Sequence, residues 1–559
     1  MPTMISLLFK AFGLKTRRSF DMRCQSPRQT QEDLLKIILS KNKGCAFGKK
    51  HGFDKIKSIN DFKSQVPICT YQDIEPYIHA QLNGEAQQLT RDSPVFFATT
   101  SGTTGKPKYI PVTPDSKSAK SQLLRVWFAR LIKDHPTIFD GKVLAVVSPE
   151  AETISPSGIP CGAESGHGYR TMPKSTAAIY AAPYEVYAME DYDAKYYTLL
   201  RLSAGENITF IYTVNPSTVL LLAQRLDQYR EDIIQDVRDG TLSKKYKIPE
   251  DIRRQLAERI KPNAKRAKFL ENAVQQGNGQ MLPKYIWPDL AAIGCWKGGS
   301  VGIYISKFPQ YFQKNIAIRD VGYYASEHRG SVPITDEDSS GVLAIPTNVY
   351  EFFPAREDRK PTGKDLLSAH EIERGQQYYI YVTTHSGLYR YDMNDIIEVT
   401  GYYKETPLIR FVQKGKGVVS FTGEKLYESQ VISAVEKAFE PIQGHYDFIA
   451  TVGKINNDIP QYVFLTEFDK PLSQEDAQNF ANRIEDELSH LNIEYASKRK
   501  SNRIDPLVLR VVKSGEFANY RRRMVQGGKN DSQFKVLKLT KDVSFEKEFQ
   551  GQMDISSNK

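Results

Sequence analysis

The chain has 559 residues, 40% of them hydrophobic and 25% charged, enough for two to four domains at roughly 100–200 residues each. That balance excludes collagen, a long coiled coil and wholesale disorder, and no run approaches the ~18 uninterrupted apolar residues of a membrane-spanning helix. The formal charge of +10 is local: residues 498–541 alone carry 13 Lys/Arg against Asp505, Glu516 and Asp531. A solvated basic face is the first reading of such a run, a phosphate-rich small molecule the second and nucleic acid the last, because no nucleic-acid-binding signature accompanies it. The N-terminal apolar run is short and precedes its basic cluster, unlike a signal peptide. Five scattered cysteines without a C-x-x-C pair argue against a disulfide framework and for a reducing cytoplasm.

Taken in chain order, the residues up to about Asp92 read as helices with loops, with Pro67, Pro76 and Pro94 as breakers. A β-prone run over residues 94–100 then meets a glycine-rich turn. Beyond Pro114 the stripe Leu123, Leu124, Trp127, Phe128 and Leu131 predicts a helix. Residues 141–148 predict a buried strand, and residues 216–273 a charged helical stretch cut by Pro249 and Pro262. From 291 to 399 strands dominate, over residues 317–323, 341–345, 349–353 and 377–383. In the last third, Val431, Ile432, Val435 and Phe439 have helical spacing, residues 448–452 and 462–468 predict strands, and residues 477–491 a second amphipathic helix. A strand over residues 507–512 closes a βαββαβ-like order. The fold expected is α/β: a large domain of mixed sheets and helices over residues 1–413, a hinge over 414–425, and a small mobile α/β domain over 426–559.

The sharpest chemical feature is Thr99-Thr-Ser-Gly-Thr-Thr-Gly-Lys-Pro-Lys108. Glycines let a backbone approach a ligand closely, successive N–H groups can form an anion-binding nest, and the hydroxyls and lysines complete a phosphate cradle. Its glycine spacing and Pro107 distinguish it from a P-loop. Tyr323-Tyr-Ala-Ser-Glu-His-Arg329 follows a predicted strand, so an aromatic and a carboxylate stand together where a base and Mg²⁺ could be held. In Tyr389-Arg-Tyr-Asp-Met-Asn-Asp395, Asp392 and Asp395 at a strand-to-strand turn could accept hydrogen bonds from a ribose diol. The nine histidines show no zinc spacing, and no G-x-S-x-G elbow occurs. Ser165-Gly-His-Gly168 reads first as a structural loop and second as an acyl-pocket lining, and Tyr180, Tyr184 and Tyr187 as ordinary packing or an acyl-site lining.

In this order the three motifs resemble those of the adenylate-forming superfamily. The closer likeness is to the auxin-responsive-promoter family of acyl-acid amido synthetases and its bacterial relatives. Trp287-Pro-Asp-Leu, Gly298-Gly-Ser-Val-Gly-Ile-Tyr304 and Val349-Tyr-Glu-Phe-Phe-Pro354 resemble further family segments, and Asn394 stands where the family's third motif has glycine. The resemblance implies an ATP- and Mg²⁺-dependent ligase. Such an enzyme adenylates a small carboxylic acid, releases pyrophosphate, and passes the acyl group to an amino acid or other amine. It implies that Thr100, Ser101, Gly102, Thr103, Thr104, Gly105 and Lys106 hold phosphates, with Ser101, Thr104 and Gly105 foremost. Tyr323, Tyr324, Ala325 and Ser326 would face the adenine, Glu327 would hold Mg²⁺ and Asp395 the ribose. Gly423-Glu-Lys-Leu-Tyr-Glu428 and Gln533-Phe-Lys-Val536 resemble family segments that make Lys425 and Lys535 candidate catalytic lysines. Rotation of the small domain would bring a lysine to the α-phosphate in one orientation and withdraw it in the other. An acyl-CoA ligase, sharing the first half-reaction, and a non-catalytic nucleotide- or nucleic-acid-binding protein stay open as alternatives.

Overall fold

A computed structural model describes residues 4–100, 108–298, 304–357, 361–415, 418–419, 426–442, 444–456, 459–500, 504–526 and 538–558. It divides into two compact units, Met1–Phe411 and Val412–Lys559.

The first unit begins with helices Met4–Arg23, Pro27–Asn42, Ala46–Lys50, Ile59–Gln65 and Tyr71–Leu82. Their starts are set by local chemistry. Ser58 accepts from the Asp61 N–H while the Asp61 carboxylate accepts from the Ser58 N–H, a reciprocal cap. Pro76 does not break the chain as expected. It sits inside Tyr71–Leu82, one turn past the start. A proline there deletes a single backbone bond, and the buried face of Tyr71, Ile74, Ile78 and Leu82 holds the helix through it.

The β-prone run forms the strand Phe96–Thr100, paired antiparallel with Lys108–Val112 and parallel with Pro160–Gly162. Phe96, Phe97 and Ala98 are fully buried. The chain then enters the helix Pro114–Asp134, capped by the Thr113 hydroxyl accepting from the Ser116 N–H at 3.2 Å. Leu123, Val126, Trp127 and Leu131 bury its inner face. Behind it lies an all-parallel sheet of Lys142–Ala145, Ile208–Tyr212, Ala292–Gly294 and Ala317–Arg319. The helices between residues 216 and 276 break near both expected prolines, the helix Glu250–Ala257 starting directly after Pro249.

Arg319 ends that sheet with 0% side-chain exposure, bonded to Asp134 at 2.7 Å and to Asp336. Asp336 is partly buried, which alone would raise its pKa, but hydrogen bonds from His135 and Arg319 hold it down at about 2. The sign follows from linkage. A carboxyl depressed below its unfolded value of 3.8 stabilises the fold above that pH, and the contribution is lost as pH falls towards 2. Asp336→Asn should therefore lower the melting temperature at pH 6, by a contribution of about 1–2 kcal/mol after solvent screening. At pH 2 the variant and the natural chain should melt together. Equal differences at both pH values would disprove the linkage.

A seven-stranded sheet completes the unit in the order Leu367–Ser368, Val349–Pro354, Gln377–Thr383, Tyr391–Tyr403, Thr406–Lys414, Gly341–Leu343, Ser331–Val332. Asp392 and Asp395 do not lie at a strand-to-strand turn as expected; both belong to the 13-residue strand Tyr391–Tyr403. The ladder slips there: Tyr379 faces Ile396 while Tyr381 faces Asp392, which is a bulge. Asn394 carries the kink at φ +49°, a left-handed conformation that asparagine tolerates better than most side chains. That is the physical reason asparagine can stand where a glycine is usual.

In the second unit a sheet runs Leu539–Thr540, Tyr446–Asn456, Ile459–Phe468, Val508–Val512, Gly551–Ser556. Helices Glu428–Phe439 and Gln474–Leu491 contribute to its core, where Val431, Val435, Phe464, Phe480, Ile484 and Leu488 are buried together. The expected strand at residues 507–512 is present but does not close the domain: a helix, Glu516–Gln526, and two further strands follow. Gly551–Ser556 pairs antiparallel with Val508–Val512.

The basic run is also not a uniformly open face. Arg499 is 2% exposed and bonds Glu485 at 2.7 Å, Arg510 pairs with Asp554 and Glu546, and Arg523 with Glu548. Acids outside residues 498–541 therefore neutralise part of its charge.

Candidate functional site

The expected site residues of the first unit fall near three places. The first is the end of the buried hairpin. Thr100 closes the strand Phe96–Thr100 opposite Lys108, and Thr99 donates to Glu152 at 2.9 Å. Ser101, Gly102, Thr103, Thr104, Gly105 and Lys106 lie outside the described residues, as do Lys425 and Lys535 of the second unit. Lys108 places its ammonium 5.1 Å from the Tyr71 ring centroid.

The second is a tight turn after the parallel strand Ala317–Arg319. Gly322, at φ +88°, starts it, and a Cβ there would meet the Ser331 carbonyl oxygen at 2.5 Å, so only glycine fits. The Gly330 N–H donates to the Tyr323 carbonyl at 2.7 Å and the Ala325 N–H to the His328 carbonyl at 2.9 Å. These bonds put Ser326 and Glu327 at the tip. Asp320 anchors the entry, accepting from the Lys297 and Gly322 N–H groups at 2.6 Å each; burial pushes its carboxyl up to about 6.

The third is the bulged strand. Asp395, 2% exposed, accepts from the Tyr323 hydroxyl at 2.7 Å, so two motifs 72 residues apart meet through one buried hydrogen bond. Burial, and then Asp395 beside it, drive the Tyr323 phenol well above its ordinary pKa, keeping it a neutral donor. The Tyr323 ring is stacked with Phe411, centroids 6.0 Å apart. Asp392 instead accepts from the Asn394 N–H at 2.7 Å and shapes the bulge.

Glu327 lines a small cleft with Ser116, Ala119, Lys120 and Leu123 of the helix Pro114–Asp134, together with Thr384 and His385. Burial lowers the His385 pKa, favouring a neutral ring. Tyr324 donates to Glu164 at 3.2 Å. Among the described residues no three His, Cys, Asp or Glu side chains gather as a metal cage. A single carboxylate on a cleft suits a cation that takes its remaining ligands from phosphate oxygens and water, the usual donor set of Mg²⁺.

Sequence reasoning missed Lys120, Glu164, Asp320 and His385. Lys120 follows the hydroxyl-rich loop by one strand, Lys108–Val112, and nearly two turns of the helix Pro114–Asp134, but its partners come from residues 164 and 326. Ser165-Gly-His-Gly168 is not a loop: it lies in the helix Glu164–Arg170. Its Gly166 packs so close to Ser148 that a Cβ would meet that carbonyl oxygen at 2.2 Å. Tyr180, Tyr184 and Tyr187 gather around Tyr169, with centroids 5.1 to 6.3 Å from it, and Tyr187 is fully buried.

Three domain models and several known proteins match the chain. Residues 16–316 match the GH3 family N-terminal domain, 341–414 its central domain and 429–544 its C-terminal domain. A jasmonoyl–L-amino acid synthetase of Oryza sativa subsp. japonica is 26% identical, covering 93% of this chain and 94% of its own. An indole-3-acetic acid-amido synthetase of Arabidopsis thaliana is 25% identical with the same coverage. Among solved structures, AtGH3.15 acyl acid amido synthetase in complex with 2,4-DB superposes with a TM-score of 0.86 at 21% identity over 98% of both chains. A 2-hydroxyisobutyryl-CoA ligase in the postadenylation state gives 0.53 at 11% identity, over 94% of this chain and 92% of its own. With its three domain models matched in order over most of its length, the chain belongs to the GH3 family.

Proposed function

We propose that this protein is an AMP-forming acyl-acid amido synthetase that joins a small carboxylic acid to an amino acid at the expense of ATP. The observation that carries the reading is the Tyr323–Asp395 hydrogen bond, which joins the second and third motifs in a chain of the GH3 family. In the first step a carboxylate oxygen attacks the α-phosphorus of ATP, the bond to the β-phosphate oxygen breaks, and pyrophosphate leaves. In the second, the amine nitrogen attacks the acyl carbon, the bond to AMP breaks, and the nitrogen loses its extra proton. AMP is the activating group, so no covalent enzyme nucleophile is required; alignment and charge neutralisation supply the catalysis.

In this reading Thr100, Ser101, Gly102, Thr103, Thr104, Gly105 and Lys106 cradle the phosphates. The turn from Tyr323 to Ser326 borders the adenine, Asp395 takes the ribose hydroxyls, and Lys425 and Lys535 bring positive charge to the α-phosphate from the segment after residue 413. Glu327 would hold Mg²⁺, which when bound neutralises charge on the phosphate oxygens. The partly neutralised basic run weighs against nucleic acid as the partner. All five cysteines are free and buried, and no described helix is long and apolar enough to cross a membrane. Both features support a cytoplasmic enzyme.

The test is pyrophosphate release from Mg-ATP with pooled carboxylic acids, with and without pooled amino acids, beside a Ser101→Ala/Lys106→Ala control. Acid-dependent release that rises with amino acids is the expected result. Release that responds only to coenzyme A would replace the amide by a thioester, and a protein that does not bind ATP would overturn the reading.

A further inference from the structure

The helix Pro114–Asp134 follows the hydroxyl-rich hairpin directly, and two of its lysines, one helical turn apart, reach the helix Glu164–Arg170. Lys117 Nζ donates to the Thr171 hydroxyl at 2.8 Å and lies 3.3 Å from His167 Nε2. His167 Nδ1 in turn lies 2.9 Å from the buried Glu150 carboxylate. Lys120 Nζ donates to both Glu164 oxygens at 2.9 and 2.8 Å, and also to the Ser326 backbone carbonyl at 2.7 Å. All three ammonium protons of Lys120 are thereby engaged. Glu164 is also the acceptor of the Tyr324 hydroxyl, so one ion pair touches the turn at Tyr324 and again at Ser326, on either side of Ala325.

The pair is well covered, with side-chain exposures of 13% for Lys120 and 17% for Glu164. Desolvating two charges to that degree costs about what their attraction returns, so net stability is a weak reason for the arrangement; geometry is a better one. Lys117 supplies the comparison within the same molecule. It clasps the same two helices without reaching the turn.

We infer that Lys120, held by Glu164, is a positioning residue for the nucleotide: it fixes the Tyr324–Ser326 turn and so the placement of Glu327, which shares its cleft. The inference rests on the functional reading above for the identity of that turn as the nucleotide-binding segment. Glu164 holds the Lys120 ammonium, so the lysine orients the backbone without competing with a cation for the Glu327 carboxylate. The strut also ties the turn to the element that emerges from the phosphate hairpin, which would let both halves of a nucleotide site move as one body.

The experiment compares Lys120→Met, Lys120→Arg, Tyr324→Phe and Lys117→Met in the full chain. The readouts are KM for ATP, KM for the carboxylic acid, Kd for ATP and melting temperature. Lys120→Met should raise KM and Kd for ATP by about 10- to 100-fold, the usual cost of losing charged hydrogen bonds. KM for the acid should stay within about threefold. Lys120→Arg should restore most of the loss, and Tyr324→Phe should give a smaller shift of the same kind. Lys117→Met should lower the melting temperature without moving KM for ATP. Overturning results are an unchanged Kd for ATP in Lys120→Met, equal rises in both KM values, or an equal effect of Lys117→Met. If Lys120→Met does not fold, Tyr324→Phe decides: no rise in Kd for ATP with the fold intact would overturn the inference. Natural protein that binds ATP but releases no pyrophosphate would instead count against the ligase reading while the Kd comparison still tests the strut.

Discussion

Glu327→Gln should reduce acid-dependent pyrophosphate release by about 10²–10³-fold, the magnitude seen when one preorganised electrostatic group is removed from a transition state. The substitution keeps the shape of the side chain and removes its charge. The turn that presents it is held by backbone bonds, Gly330 N–H to Tyr323 carbonyl and Ala325 N–H to His328 carbonyl, so the fold should survive with its melting temperature within about a degree or two. Glu327 is half-buried on a cleft with Lys120 and His385, and its charge is felt by Tyr391, whose phenol is raised first by burial and then by Glu327. The discriminating measurement is the rate as a function of Mg²⁺ concentration. A shift to higher Mg²⁺ together with the lower rate is expected; an unaltered Mg²⁺ dependence would remove Glu327 from metal binding.

The largest stability effect is expected at Arg390, in the Tyr-Arg pair of the third motif. Its side chain is 0% exposed and makes a bidentate pair with Glu351, Nε and Nη2 each donating at 2.8 Å. Its remaining donors serve the carbonyls of Lys63, Val66 and Gly363. Arg390→Met would leave a carboxylate that is 4% exposed without its partner and should cost about 3–5 kcal/mol. Arg390→Lys should recover little, because one ammonium cannot reproduce a planar fork that spans a carboxylate and three carbonyls. Denaturant unfolding of Arg390→Met, Glu351→Leu and the double variant checks the point: the double variant should lose less than the sum of the singles. Strict additivity would mean that the pair is not energetically coupled. The motif thus divides its labour. Arg390 stitches the N-terminal helices to the sheet, while Asp395, five residues on, meets Tyr323.

Much of this protein was determined locally and could be read from the chain. The buried Phe96–Ala98 run, the helix stripe Leu123, Trp127 and Leu131, and the helices Glu428–Phe439 and Gln474–Leu491 follow from periodicity, which depends only on near neighbours. The hydroxyl- and glycine-rich segment after Thr99 is legible for the same reason: its residue types, which suit an anion-binding nest, are adjacent. What failed was decided by tertiary contact. Pro76 stays within a helix because four buried side chains hold that helix, and residues 551–556 become a strand because the edge of Val508–Val512 offers a partner. The site itself is a matter of long-range geometry. Tyr323 and Asp395 are 72 residues apart, Lys120 and Ser326 are 206 apart, and nothing in the spacing of either pair signals a hydrogen bond. Asn394 could be seen to depart from a pattern, but only the bulge and its positive φ give the reason. Residue type announces which chemistry is available; the packing of sheets and helices decides which groups are close enough, and dry enough, to use it.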